Sequence, residues 1–350
     1  MTSEASHATT PELTDIAAIK DSLVQYLRTH DLGKSGLSTK DTVTLQELGS
    51  GCTNLNFTAT NGDKTCVLRV SAASFGQRGD RLATEFDMLQ EVAKNPLLIN
   101  SVPQVYHLGH DTGINRRVLA MEFIPGDLKD FNTLTNEEIT HFAQALGHLH
   151  AHQVPYFRAG GGKLIEGTYS DALDDMLRVC VFARLETIDS TFCPKAVELI
   201  TIGLKKLKAL RATYSQAFTG TSFSRVHHDL HADNILWRNS HPVFIDWEYA
   251  QFNDPAQELD YIFTNNNVIP RVKETFLKHY TPPASDHTIL ERLKVYELVN
   301  RLDDLSWGRE EFYKEEHPRE GVFITQPKGY YQNAYQKRVG ALRQYLAQNA

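Results

Sequence analysis

At 350 residues, with 41% hydrophobic and 23% charged side chains, the chain has the composition of an ordinary folded protein and is long enough for two domains or one large bilobal unit. Its formal net charge of -7 argues against nucleic acid as the main partner, because holding a phosphate backbone takes clustered Lys and Arg; a cationic small molecule suits this field better. No run approaches the ~20 apolar residues of a membrane span, and residues 1–15 lack the basic end and apolar stretch of a signal peptide. Cys52, Cys66, Cys180 and Cys193 are scattered without a CxxC pair or zinc spacing, so the expectation is a cytoplasmic protein with reduced thiols and no membrane insertion.

Along the chain, residues 13–28 place apolar side chains at helical spacing and predict a leading helix. Residues 43–48, 54–60 and 65–70 are short runs rich in Thr, Val, Leu and Phe, separated by the turn signals GSG and NGD, and predict three antiparallel strands. A helix follows over 80–94, ending before Pro96, and two more strands over 104–108 and 117–124 complete a five-stranded sheet with one inserted helix. PGD at 125–127 breaks the chain, and from Thr135 onward the pattern is helical. The run GGG at 160–162 reads as a mobile loop. Strand-like text returns once at 226–247, and long helical patterns follow to the C-terminus, including 286–306 and 329–347. This divides the chain into a tail with leading helix (1–42), a sheet-rich lobe (43–125) and a mostly helical lobe (126–350).

The chemistry-bearing text is HHDLHADNILW at 227–237, followed by FIDWEYA at 244–250. A loop Asp (Asp229), an Asn five residues later at the start of an apolar strand (Asn234) and an Asp at the end of the returning strand (Asp246) can converge on one metal-phosphate site. Phosphoryl transfer uses such a set, because its loose transition state asks for positioning and charge neutralisation more than for covalent help. Taken singly, a loop Asp or Asn is a turn former or a helix cap. The crowding of His227, His228, Asp229, His231 and Asp233 also raises a zinc or di-metal hydrolase, whose alternating or i, i+4 histidines with distant ligands HHDLHAD does not supply cleanly.

The string resembles the catalytic and metal motifs of the aminoglycoside phosphotransferase and choline/ethanolamine kinase superfamily, HxDxxxxN followed by a strand ending in ID. The resemblance implies an α+β, bilobal protein-kinase-like fold that uses ATP and Mg²⁺. Asp229 would accept or orient the proton of the acceptor hydroxyl, Asn234 and Asp246 would hold Mg²⁺, and His227 would brace the loop. Family members commonly carry Gly between the His and the Asp and Pro-Gly before the Asn, where this chain has His228 and Ala232-Asp233.

Upstream, residues 48–70 resemble the nucleotide loop and following strands of the choline kinase branch, with Gly49, Gly51, Asn54 and Asn56 in the turn; on its own the GxG is equally a plain hairpin turn. The same resemblance assigns Arg69 to the ATP phosphates, with Glu85 as its ion-pair partner, and the main chain around Glu122, Phe123 and Ile124 to adenine. For the acceptor, Glu248 and Tyr249 after the metal Asp, and Asp303, Asp304 and Trp307 on a late helix, offer carboxylates and aromatics that could cage an ammonium group. IDWEYA is similar to the choline/ethanolamine kinase pattern, so choline or ethanolamine is the first expectation for the small-molecule alcohol. An aminoglycoside, thiamine or an aminosugar is the second, and an inactive nucleotide-binding partner protein is the alternative of another class. The oligomeric state is not legible.

Overall fold

The computed structural model describes residues 16–30, 32, 35, 37, 42–50, 54–71, 80–160, 162–284, 286–318 and 327–349. In chain order the elements are α1 (Ile16–Thr29), β1 (Thr44–Ser50), β2 (Asn54–Asn61), β3 (Lys64–Ser71), α2 (Arg81–Val92), β4 (Val105–Asp111), β5 (Arg116–Glu122) and β6 (Asp127–Leu128). Then come α3 (Asn136–His150), β7 (Gln153–Val154), β8 (Tyr156–Arg158), β9 (Leu164–Glu166), α4 (Tyr169–Met176), α5 (Ala183–Thr187) and α6 (Pro194–Thr213). The remainder is β10 (Phe223–Val226), β11 (Ile235–Arg238), β12 (His241–Phe244), β13 (Gln251–Asn253), α7 (Pro255–Asn265), α8 (Pro270–His279), α9 (Ile289–Glu316) and α10 (Tyr330–Gln348). A π-helical stretch, Leu177–Phe182, joins α4 to α5. The chain divides into two compact units, one of 1–128 with 235–249 and one of 129–234 with 250–350.

The first unit is built on an antiparallel sheet of five strands in the order β1-β2-β3-β5-β4, as the sequence leads one to expect. The NGD signal forms the β2–β3 turn, where Gly62 takes φ +57°, the left-handed conformation that a two-residue hairpin turn requires. Side chains alternate along the strands, so Phe57, Ala59, Cys66, Leu68 and Val70 share one face and pack under Ile19, Leu23, Tyr26 and Leu27 of α1. Leu119 and Met121 of β5 serve the opposite face, against Leu82 and Phe86 of α2. Each side of the sheet is thus covered by one amphipathic helix. Helix α2 starts where the Asp80 carboxylate accepts the Ala83 N–H at 3.0 Å. A second sheet, β12-β11-β6, belongs to the same unit, and the Phe244 N–H donates to the Ser101 carbonyl at 2.8 Å.

The second unit is mostly helical. Helix α3 opens on a reciprocal cap, Thr135 accepting from the Glu138 N–H and Glu138 accepting from the Thr135 N–H. Of the run at 160–162, residues 160 and 162 sit in the turn of the β8–β9 hairpin, closed by the Ala159 N–H to the Lys163 carbonyl at 2.8 Å, while Gly161 lies outside the described residues. Helix α9 runs ten residues past the expected end at 306, through Gly308. That glycine is placed by α10, since a Cβ there would lie 2.6 Å from the Arg338 Cδ. Arg292 of α9 is fully buried and bridges Asp254, the N-cap of α7, at 2.7 Å and Asp286 at 2.5 Å, with its guanidinium 3.9 Å from the Tyr169 ring centroid. Breaking such a buried set by removing one partner costs about 3–5 kcal/mol, so Arg292 fixes how α7 and α9 meet. Among the described residues no helix is long and apolar enough to cross a membrane.

Candidate active site

In the second unit, β10 delivers His227, fully buried, into the loop that carries Asp229. The chain turns at His228, whose φ of +71° lies in the left-handed region that disfavours most side chains. This accounts for the departure at position 228: glycine reaches that conformation without strain, and His is among the side chains enriched there. The strained peptide is held by a charged partner, since the His228 N–H donates to Glu258 Oε1. Glu258 is itself buried, with Oε2 2.7 Å from His150 Nε2, and His150 Nδ1 lies 2.7 Å from the Tyr280 hydroxyl. Burial opposes charge on Glu258, but His150, His227 and the His228 N–H outweigh it and hold the carboxyl below its usual range.

The Asp229 carboxylate is gripped at both oxygens. Tyr261 donates its hydroxyl proton to Oδ1 at 2.8 Å, and Asn234 Nδ2 reaches Oδ2 at 3.3 Å and the Asp229 carbonyl at 2.9 Å. His231 lies 3.8 Å from Asp229 on one side and 3.8 Å from Asp233 on the other. Asn266, the residue capping α7, accepts from the Ala232 N–H at 3.0 Å and donates to the Leu230 carbonyl at 3.3 Å. Glu258, Tyr261 and Asn266 therefore hold His228, Asp229 and the 230–232 backbone from one helix. Among the described residues no three His, Cys, Asp or Glu side chains gather into a metal-binding group.

In the first unit, Asp246 follows β12 with φ +66°, and its Oδ1 accepts from Arg69 Nη1 at 2.7 Å. The same Nη1 reaches both oxygens of Glu85 at 2.9 Å, and Arg69 Nε donates to Asn56 Oδ1 at 3.1 Å. Glu85 is fully buried and also accepts the Trp247 N–H at 3.2 Å. Burial, and repulsion from Asp246, push its carboxyl up against the pull of Arg69, while Arg69 stays cationic because two carboxylates overcome its desolvation. Asp246 in the first unit and Asn234 in the second each carry a hard oxygen donor, the kind Mg²⁺ takes.

Other expected residues are placed as follows. Gly49 is in β1 opposite Asn56, and Gly51 lies outside the described residues. Asn54 Nδ2 donates to Glu248 Oε2 at 2.8 Å, and Arg81 Nη1 approaches Glu248 at 3.3 Å and the Tyr249 hydroxyl at 2.7 Å. The Glu122 N–H is committed to the Gln104 carbonyl at 2.7 Å and its carboxylate to Arg238 at 3.2 Å; Ile124 is buried just beyond.

The expected acceptor residues fall in both units. Glu248 and Tyr249 belong to the first unit, and Asp303, Asp304 and Trp307 to the second. Within the second, Asp303 turns to Arg184, whereas Asp304 and Trp307 both meet Arg338, at 2.6 Å and at 4.8 Å from the ring centroid. Adjacent helix positions point about 100° apart, which separates Asp303 from its neighbour. Sequence reading missed Glu258, Tyr261, Asn266 and His150. The available signal was Glu258 and Tyr261 at i, i+3 spacing just after Asp254-Pro255, a helix start.

Comparison with known proteins gives the family and the fold. The model of the APH phosphotransferase enzyme family matches residues 44–293. Among solved structures, the aminoglycoside phosphotransferase APH(4)-Ia superposes with a TM-score of 0.64 at 16% identity over 95% of this chain and 99% of its own. A choline/ethanolamine kinase family protein from Mesorhizobium loti gives 0.62 at 19% identity over 93% and 94%. A thermostable APH(4)-Ia mutant in ternary complex with AMP-PNP and hygromycin B gives 0.60 at 17% identity over 88% and 95%. No curated protein sequence matches the chain.

Proposed function

The chain belongs to the APH phosphotransferase enzyme family, and we propose that it transfers the γ-phosphate of ATP to the hydroxyl of a small cationic alcohol of the choline or ethanolamine kind. The observation that carries this reading is the Asp229 carboxylate, held at both oxygens on a loop tied to one buried helix. A carboxylate so fixed is suited to take the proton of an acceptor hydroxyl. As that proton passes to Asp229, the acceptor oxygen bonds to the γ-phosphorus, the bridging bond to the β-phosphate breaks, and ADP leaves. Arg69, fixed by Glu85, supplies positive charge to the phosphates. Asn234 and Asp246 are the groups for Mg²⁺, which neutralises phosphate charge when bound. Gly49, Gly51 and Asn54 belong to the phosphate loop, Phe123 and Ile124 to the adenine contact, and His227 braces the catalytic loop. An acid-rich chain, and the likeness of IDWEYA to the choline/ethanolamine kinase pattern, support a cationic acceptor.

The test is a panel of choline, ethanolamine, thiamine, aminosugars, aminoglycosides and neutral alcohols with Mg²⁺ and ATP, read by mass spectrometry of the phosphorylated product. Asp229→Asn is expected to lower kcat at least 100-fold with the KM for ATP within about twofold, because the lost group serves the acceptor and not the nucleotide. Turnover in that variant within threefold of the wild type rejects the role of Asp229. ATP binding without any phosphorylated product across the panel favours an inactive nucleotide-binding protein.

A further inference from the structure

We propose that Tyr261 is a positioning residue for the reaction, clamping the Asp229 carboxylate so that Oδ2 is the oxygen presented to the acceptor hydroxyl; this rests on Asp229 being the group that takes the acceptor proton. Three observations carry it. The Tyr261 hydroxyl donates to Asp229 Oδ1 at 2.8 Å, within ordinary hydrogen-bond range, whereas the contact of Asn234 with Oδ2 is longer, at 3.3 Å. The shorter bond is thus to Oδ1, and Oδ2 is the more weakly engaged oxygen. Second, Tyr261 stands on α7 one turn beyond Glu258, which anchors the His228 N–H, so the clamp and the loop anchor are parts of one rigid helix. A group on a packed helix is placed more sharply than one on a loop. Third, burial and then the nearby Asp229 charge push the Tyr261 hydroxyl well above its usual range, so it remains a proton-bearing donor throughout the working pH range.

The physical consequence is rotational. A carboxylate bonded at one oxygen alone turns readily about its Cβ–Cγ bond, and terminal torsions of Asp are broad. A donor fixed on Oδ1 restricts that torsion and holds Oδ2 in one direction. Misplacement of a reacting group by about 1 Å costs on the order of 100-fold in rate, so partial loss of the restraint is expected to appear in turnover.

The experiment is a double-mutant cycle on the full-length enzyme, using Asp229→Asn, Tyr261→Phe and the pair, with the best acceptor from the panel. Tyr261→Phe keeps the ring and loses only the hydroxyl. It is expected to lower kcat by roughly tenfold, with the KM for ATP within twofold and an unchanged thermal midpoint. Because Tyr261 acts through Asp229, the double variant is expected to be no slower than Asp229→Asn alone. Independent, multiplicative losses in the double variant, or a Tyr261→Phe enzyme with wild-type kcat, overturn the proposal while leaving the role of Asp229 standing. An active Asp229→Asn enzyme instead removes the premise. Should Tyr261→Phe lower the thermal midpoint, Tyr261→His is the second variant: an imidazole that restores kcat supports the clamp, and one that restores only the midpoint overturns it.

Discussion

At the scale of single residues, the candidate catalytic text was legible as residue type and spacing, but its conformation was not. His227, Asp229, Asn234 and Asp246 could be picked out because an Asp, an Asn and a returning Asp around apolar strands are what phosphoryl transfer asks for. That His228 and Asp246 both lie at positive φ is invisible in the letters, since neither is glycine. The conformation at 228 makes a specific prediction. At φ +71° a Cβ is strained, and His tolerates the region better than Ala does. His228→Gly is therefore expected to keep the fold, and His228→Ala to be less stable than His228→Gly by about 1 kcal/mol, reversing the usual preference for Ala over Gly. Both variants lack the imidazole, so their difference isolates the backbone. Urea unfolding of the pair checks it, and an Ala variant equal to or more stable than the Gly variant rejects the account of position 228.

At the scale of elements, the strands and hairpins were read from alternation and turn chemistry, which are local signals, and β2, β3 and β5 fall close to their expected bounds. Helix α7 falls in text that reads as helical but without bounds of its own, and the supports it gives the 227–233 loop were not legible, because a side chain contacting a residue some 30 positions away leaves no local period. The seam between α7 and α9 is similarly hidden. There Asn300 donates to Asp260 Oδ2 at 3.0 Å and to the Gln257 carbonyl at 3.3 Å, and Asp260 is almost wholly buried. Burial, aided by the charge of Glu297, pushes the Asp260 carboxyl up to about 6 against the bond from Asn300. The sign follows from linkage: between its ordinary value near 4 and about 6, the folded chain holds more protons at this site than the unfolded chain, so stability falls as pH rises through that window. A shift of this size corresponds to roughly 2–3 kcal/mol at its fullest. Asp260→Asn is expected to flatten that part of the profile, measured by thermal or urea unfolding from pH 4 to 7. An unchanged slope in the variant shows that other groups set it.

At the scale of the whole molecule, the family and the phosphotransfer class could be reached because their machinery is a short contiguous text, whereas the candidate acceptor residues are scattered from 248 to 307 and carry no such motif. The five acceptor residues divide between the two units, and each of the two helix carboxylates already has an arginine: Arg184 on Asp303 and Glu310, Arg338 on Asp304. If the proposed cationic acceptor meets Asp303, Arg184 is the group it has to compete with there. The charge of Asp303 is felt at the Tyr261 hydroxyl, which bonds Asp229, so this carboxylate has a weak electrostatic link to the loop that carries Asp229. Burial raises the Asp303 carboxyl and Arg184 opposes the rise, which makes a cationic partner necessary for its charge. Replacing Arg184 by Gln keeps a polar side chain of similar reach while withdrawing that cation. In the resulting enzyme a choline-like or amine-bearing alcohol supplies the missing charge, and its KM is expected to fall three- to tenfold, with the KM for ATP unchanged. A neutral alcohol gains nothing from the vacated carboxylate, so its KM is expected to stay where it was. The fall is expected to shrink as salt rises from 50 to 500 mM, since the Debye length contracts from about 14 Å to about 4 Å over that range. Steady-state kinetics of Arg184→Gln with choline and with an uncharged alcohol of the same size decide the matter. Equal changes in KM for the two acceptors, or a neutral alcohol as the best substrate of the wild type, dismiss the cationic acceptor and leave the phosphotransferase assignment intact.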